Sequence, residues 1–241
     1  MKKIAIVQSN YVPWLGYFQL IKSVDEFVFL DDVQYTVRDW RNRNKIKTQT
    51  GLEWLTVPVV HTSRSQTIAE TTISDKQWTE KHWQKIKQNY SKAVCWQEMS
   101  PVIKALFDEV AAFPSLSAVN QLLISRICQI LAIDTPLMAD SEVIAEAGTY
   151  SASERLLELC LQRKADVYVS GPAAQAYLDV ELFTRHGIKV EWMSYGPWTA
   201  YSQLHGDFTP AVSVLDILLA LGPNASQYLN SVMREQKHAA I

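Results

Sequence analysis

Long apolar runs are what this chain of 241 residues most clearly lacks. The stretch from Val212 to Leu221 is among its longest, is broken by Asp216, and falls far short of the roughly 20 residues that cross a bilayer. No membrane span is expected. Cysteine is also scarce: Cys95, Cys128 and Cys160 stand apart in helical-reading stretches with no CxxC spacing, which argues against a disulfide framework or a zinc site. The net charge of -2 gives no global attraction to nucleic acid. GxSxG, Walker, GxGxxG and HExxH motifs are absent, so the common nucleophile, phosphate-loop, dinucleotide and zinc-protease signatures are missing. No motif names a metal or a cofactor.

What is present describes a globular chain. A hydrophobic fraction of 48% with 20% charged residues is ordinary for one packed core, and residues 1 to 241 are expected to form a single α/β domain. Met1-Lys2-Lys3 runs at once into Ile4-Ala5-Ile6-Val7, too short for the apolar region of a signal peptide, so a cytoplasmic location is expected. Eight tryptophans and ten tyrosines suit sugar faces and wet pockets as well as cores.

Periodicity orders the elements. Lys3 to Gln8 and Phe27 to Leu30 read as buried strands, separated by a helix from Trp14 to Val24. A hairpin follows, with Lys45 to Thr48, a turn at Gly51 and Trp54 to Val59, and then a strand near Ile68 to Ile73. Helices are expected at Gln77 to Ala93, Pro101 to Phe113 and Leu116 to Ile133, the last capped by Ser115 or Ser117, forming a small cap over about 77 to 133. Alternation then returns: helix Ser153 to Lys164, strand Val167 to Val169, helix Ala173 to His186, strand Val190 to Met193, with closing helices Val212 to Leu221 and Ala225 to Arg234. The fold class is therefore α/β, a mostly parallel sheet with helices on both faces, a β-hairpin insertion and a helical cap.

Three expected strands end in polar or turn residues: Gln8-Ser9-Asn10, Asp31-Asp32-Val33-Gln34 and Ser170-Gly171-Pro172. Ligands of open parallel sheets bind outside the carboxyl ends of the strands, so these segments can share one crevice, although polar turns end most strands in any case. Asp31 and Asp32 are adjacent and point to opposite sides of an extended backbone, so at most one faces such a crevice. Arg38, Arg41 and Arg43 interleave with Trp40, Asn42 and Asn44, either a grip for phosphate or carboxylate or a solvated basic loop. Trp78, His82, Ile86 and Tyr90 recur every four residues, which turns His82 inward as a general base or as a core residue. Tyr201-Ser202-Gln203-Leu204-His205 adds further polar groups near the end.

The run from Ile4 to Gln8 through Pro13-Trp14-Leu15-Gly16-Tyr17-Phe18-Gln19-Leu20-Ile21, then Asp31-Asp32-Val33-Gln34, Arg38, Trp40 and Asn42-Arg43-Asn44, resembles the opening of the WbqC-like family. The likeness continues through Leu55-Thr56-Val57-Pro58, Lys81-His82, Tyr168-Val169-Ser170-Gly171-Pro172 and Phe208-Thr209-Pro210. Ser9-Asn10 and Arg41 depart from the family's usual residues. The resemblance implies a part in bacterial O-antigen or similar surface-glycan biosynthesis, acting on a nucleotide-linked amino sugar. The expected reaction is transfer of an acyl or aminoacyl group to the sugar amine, from a carrier protein or a coenzyme A thioester, with no nucleic acid or membrane span involved. The expected catalytic residues are His82, Asp32 and Gln8. Tyr11, Asp31, Gln34, Arg38, Asn42, Arg43, Ser170, Gly171, Tyr201 and Gln203 are the expected substrate contacts.

Two other readings stand beside it. Leu15-Gly16-Tyr17 opens a helix directly after the first strand, where ATP-dependent enzymes of the HIGH-motif type carry His-x-Gly-His, but here both histidines are missing. The aromatic richness also fits a non-catalytic protein that holds a glycan precursor or partner enzyme.

Overall fold

Ile4, Ala5 and Ile6 are fully or nearly fully buried, which only a central strand with both faces covered permits. In the computed structural model, which describes residues 1 to 144 and 150 to 239, this strand is β1 (Lys3–Val7). It is followed by α1 (Leu15–Lys22) and β2 (Glu26–Phe29). The hairpin is β3 (Arg43–Thr48) with β4 (Gly51–Thr56), and β5 (Val59–Val60) pairs with β6 (Thr72–Ile73). Next come α2 (Trp78–Tyr90), α3 (Trp96–Val110), α4 (Leu116–Ile130) and β7 (Leu137–Ala139). The chain ends with α5 (Ala152–Gln162), β8 (Val167–Ser170), α6 (Val180–Arg185), β9 (Lys189–Trp192), α7 (Leu215–Leu221) and α8 (Ala225–Ala239).

Five strands form one parallel sheet in the order β7-β2-β1-β8-β9. The chain winds outward from β1 through β2 to β7, then returns to β8 on the other side of β1. That reversal makes the gap between β1 and β8 the topological switch point, where loops diverge to opposite faces and leave a crevice.

Side chains alternate across the strands. Ala5, Phe27, Phe29, Val167 and Val169 join a core shared with α1, α4 and α8, whereas Ile4, Ile6, Val28 and Tyr168 pack with Leu156 and Cys160 of α5 and Phe183 of α6. Helices therefore cover both faces, as the sequence pattern predicts. The helical region α2 to α4 and α7 belong to the first core. Ser115 caps α4 by accepting from the Ala118 amide, one of the two serines expected there.

Several boundaries differ from the sequence reading. α3 begins at Trp96 with Pro101 inside it, so the helix runs through a proline taken as its start. The expected strand at Ile68 to Ile73 shrinks to Thr72–Ile73, because Thr67 and Glu70 bond reciprocally through side chain and backbone and close a turn instead. The expected helix from Ala173 to His186 divides into a 3-10 turn at Pro172–Ala176 and α6, whose start is set by Asp179 accepting from the Leu182 amide. β7 is a strand that the reading did not name.

Cys128 and Cys160 are buried free thiols, each pushed up to about 12 by burial, and Cys95 sits at the N-terminal boundary of α3. Among the described residues no helix is long and apolar enough to cross a membrane.

Candidate functional site

β1 ends at Val7 and β8 at Ser170, and the loops beyond them open a cavity of about 450 Å³. Its size is that of a small-molecule site. Gln8 and Asn10 come from the loop after β1, Ser170 and Gly171 from the end of β8, and Arg155 from the first turns of α5. Trp14, Tyr17, Tyr177 and Tyr195 supply an aromatic wall.

Each wall residue is held by local chemistry. The Tyr17 hydroxyl donates to the Gln8 carbonyl at 3.0 Å, which fixes the turn where the chain leaves β1. Trp14 packs on Tyr195 with ring centroids 4.9 Å apart and on Trp198 at 5.7 Å. A Cβ at position 16 would collide with the Trp14 indole, so Gly16 is what lets the ring lie over the start of α1. Gly171 leaves open space instead: a Cβ there would meet only the Tyr195 hydroxyl, at 3.6 Å. Burial raises the pKa of Tyr195, and burial followed by nearby Asp31 raises that of Tyr17, so both are neutral hydroxyls at physiological pH.

Arg155 is fixed by two carboxylates, at 2.8 Å from Asp140 and 3.2 Å from Asp32. Asp140 also accepts from the backbone amides of Asp31 and Asp32 beyond the end of β2. Its own pKa is raised by burial, against the pull of Arg155. The Asp32 side chain is 35% exposed and the Asp140 side chain 2%, so Asp32 is the solvent-facing carboxylate of this group, joined to the crevice lining through Arg155. A second guanidinium, Arg41, donates to Asn10 and lies 3.6 Å from Asp39; burial lowers its pKa.

Asp31 faces the other way. It accepts from the Ser9 amide at 2.8 Å, from Gln121 at 2.9 Å and from the Ser117 hydroxyl, which fastens α4 to the ends of β1 and β2. Asn42 donates to the Val57 carbonyl at 2.9 Å and Asn44 to the carbonyls of Tyr11 and Val12, so these asparagines tie the hairpin to the first loop.

His82 lies in the core rather than on the crevice wall. Its Nδ1 is 2.7 Å from the Tyr11 hydroxyl, its Nε2 is 3.1 Å from the Thr56 carbonyl, and Trp78 packs against its ring. Burial pushes its pKa down to about 4. Tyr11 is fully buried in the same place. Tyr201 and Gln203 both donate to buried Asp216, at 2.9 and 2.8 Å, and Lys47 bonds Gln203 from the hairpin. That network pins the loop before α7, and Gln203 lines a separate cavity of about 160 Å³. Gln34 and Arg38 are exposed, and the Arg43 guanidinium lies over the Trp54 ring at 4.1 Å.

Of the residues singled out from sequence, the crevice thus gathers Gln8, Ser170 and Gly171, with Asp32 attached through Arg155. Sequence reasoning passed over Arg155 and Tyr195. Ser151-x-x-Glu154 is a capping box that would have started α5 there and set Arg155 in its opening turns. Tyr195 carries no local signal, because its position depends on β9 lying beside β8.

The model of the WbqC-like protein family matches residues 8 to 228. The chain is 46% identical over 230 residues to "Uncharacterized protein Rv1507c" of Mycobacterium tuberculosis, an alignment covering 95% of this chain and 98% of that protein. No solved structure matches it. With nearly its whole length matched, this chain belongs to the WbqC-like protein family.

Proposed function

We propose that this protein binds a nucleotide-linked amino sugar in the β1/β8 crevice and transfers an acyl or aminoacyl group to the sugar amine, within cytoplasmic assembly of a bacterial surface polysaccharide such as O-antigen. The observation that carries the reading is the switch-point crevice itself, with a guanidinium at one side and an indole and phenols at the other. The rings suit a base or a sugar face, the neutral tyrosine hydroxyls suit sugar hydroxyls, and Arg155, held by Asp32 and Asp140, adds a charged polar edge to the same wall. Asp32, ion-paired to Arg155 of the crevice lining, serves as the base for the amine proton, and the Gln8 amide is the donor for the carbonyl oxygen as charge develops on it. His82 is assigned here to the framework, because a buried imidazole with both nitrogens engaged has no proton path to the crevice.

The test is chemical. Polysaccharide from a strain lacking the gene is predicted to lose one N-acyl substituent, seen as a fixed mass difference per repeat by mass spectrometry. An unchanged repeat mass contradicts the reading. Binding of the nucleotide sugar by the purified protein without any product from acyl thioesters would reduce it to a holding role.

ATP-dependent nucleotidyl transfer is the second reading, favoured by the helix that directly follows β1 in a parallel sheet. The Trp14 indole over Gly16 weighs against it, since it occupies the approach a phosphate would take to the start of α1. Calorimetry with ATP and magnesium tests it, and absence of binding at millimolar ATP removes the nucleotidyl-transfer reading.

A further inference from the structure

Beside the crevice lies a second cavity of about 320 Å³, lined by Pro13, Trp14, Trp40, Ala211, Asn10 and Asn44. Asn10 and Trp14 line the crevice too, so the two cavities share one wall. Much of the polar lining of this second cavity is already engaged. Asn44 donates to Tyr11 and Val12 and accepts from the Lys45 amide, and Asn10 accepts from Arg41. Two indoles, a proline ring and a methyl group remain, a lining for an apolar fragment.

The outer end of this cavity leads to cations. Trp40 is 40% exposed and packs on Trp54, ring centroids 5.4 Å apart. Over Trp54 stand the Arg43 guanidinium at 4.1 Å and the Lys45 ammonium at 5.0 Å. Among the described residues no carboxylate lies within ion-pair distance of either. An apolar slot next to the acceptor crevice thus continues into an aromatic shelf with two positive charges, of which Arg43 also donates to the Arg38 carbonyl and acts on Asp39 from beyond ion-pair distance.

We propose that this second cavity is the acyl-donor subsite, taking an acyl thioester of phosphopantetheine with the acyl group between Trp14 and Trp40 and the phosphate on Arg43 and Lys45. The inference rests on the acyl-transfer reading and names its donor. Across the shared wall the sugar amine attacks the thioester carbonyl: the C–N bond forms, the C–S bond breaks, and the thiolate leaves and is protonated by the proton the amine gives up through Asp32 or water. Atoms and charge balance without a further reactant.

The experiment is calorimetry on the full chain with S-ethyl coenzyme A and S-ethyl phosphopantetheine, thioethers that cannot transfer. Binding of both probes points to the free coenzyme, and binding of the shorter probe alone points to a carrier protein. Either result is the expected one. Trp40→Ala and Lys45→Glu, at partly exposed positions where the fold has little at stake, are each expected to weaken the probe about tenfold. Circular dichroism checks the fold of both variants. No binding of either probe to the wild type, or binding that neither substitution weakens, overturns the proposal. A nucleotide sugar titrated in parallel keeps the two claims apart: probe binding without sugar binding removes the crevice assignment alone, and sugar binding without probe binding removes the donor subsite alone.

Discussion

His82 shares its two ring nitrogens between Tyr11 and Thr56, and burial shifts its pKa from 6.5 to about 4. The unfolded chain therefore takes up a proton at a pH where the folded chain does not. The stability this histidine contributes is fully present above about pH 6.5 and is lost as pH falls toward 4. Between pH 7 and pH 5 the loss amounts to about 2 kcal/mol. Urea unfolding at the two pH values is expected to show it, and His82→Gln is expected to flatten the difference. The same variant, kept folded at neutral pH, is expected to bind crevice ligands as the wild type does; loss of that binding would return His82 to the site. The sequence reveals half of this. Trp78, His82, Ile86 and Tyr90 at four-residue spacing are all buried on one face of α2. Local spacing cannot tell a core from a cavity wall, because that depends on Tyr11 arriving from the first loop.

Among the elements, α5 has the closest bearing on the site, because its first turns present Arg155 to the crevice. Its start is fixed by reciprocal bonds: Ser151 accepts from the Glu154 amide and Glu154 from the Ser151 amide at 2.8 Å. Ser151→Ala is expected to cost about 1 kcal/mol, measured by thermal or urea unfolding, with a modest loss of crevice affinity as the first turn frays. An unchanged midpoint would mean that packing against β1 and β8 alone sets the helix. Boundaries of this kind were only partly legible. Ser115 announces α4, whereas Pro101 misplaces the start of α3 by more than a turn, because the helix continues through it at the cost of a single intrahelical bond.

At the scale of the whole molecule, the order of strands and helices after Leu137 and the short continuous apolar runs of β1, β2 and β8 make a parallel α/β sheet readable. The strand order was not readable, since placing β8 beside β1 rather than beside β7 is a non-local pairing with no local residue code. That order decides the function proposed here, because it sets the Gln8 and Gly171 segments together at the switch point. Gly171 has φ -67 and ψ 153, which any residue adopts, so Gly171→Leu adds a side chain toward the Tyr195 side of the crevice without backbone strain. The most direct measurement is calorimetry of a nucleotide-linked amino sugar with the wild type and with this variant. The account predicts binding to the wild type and loss of at least about tenfold in affinity for Gly171→Leu with the thermal midpoint retained. Equal binding by a folded Gly171→Leu protein would place the ligand elsewhere and contradict the crevice as the site.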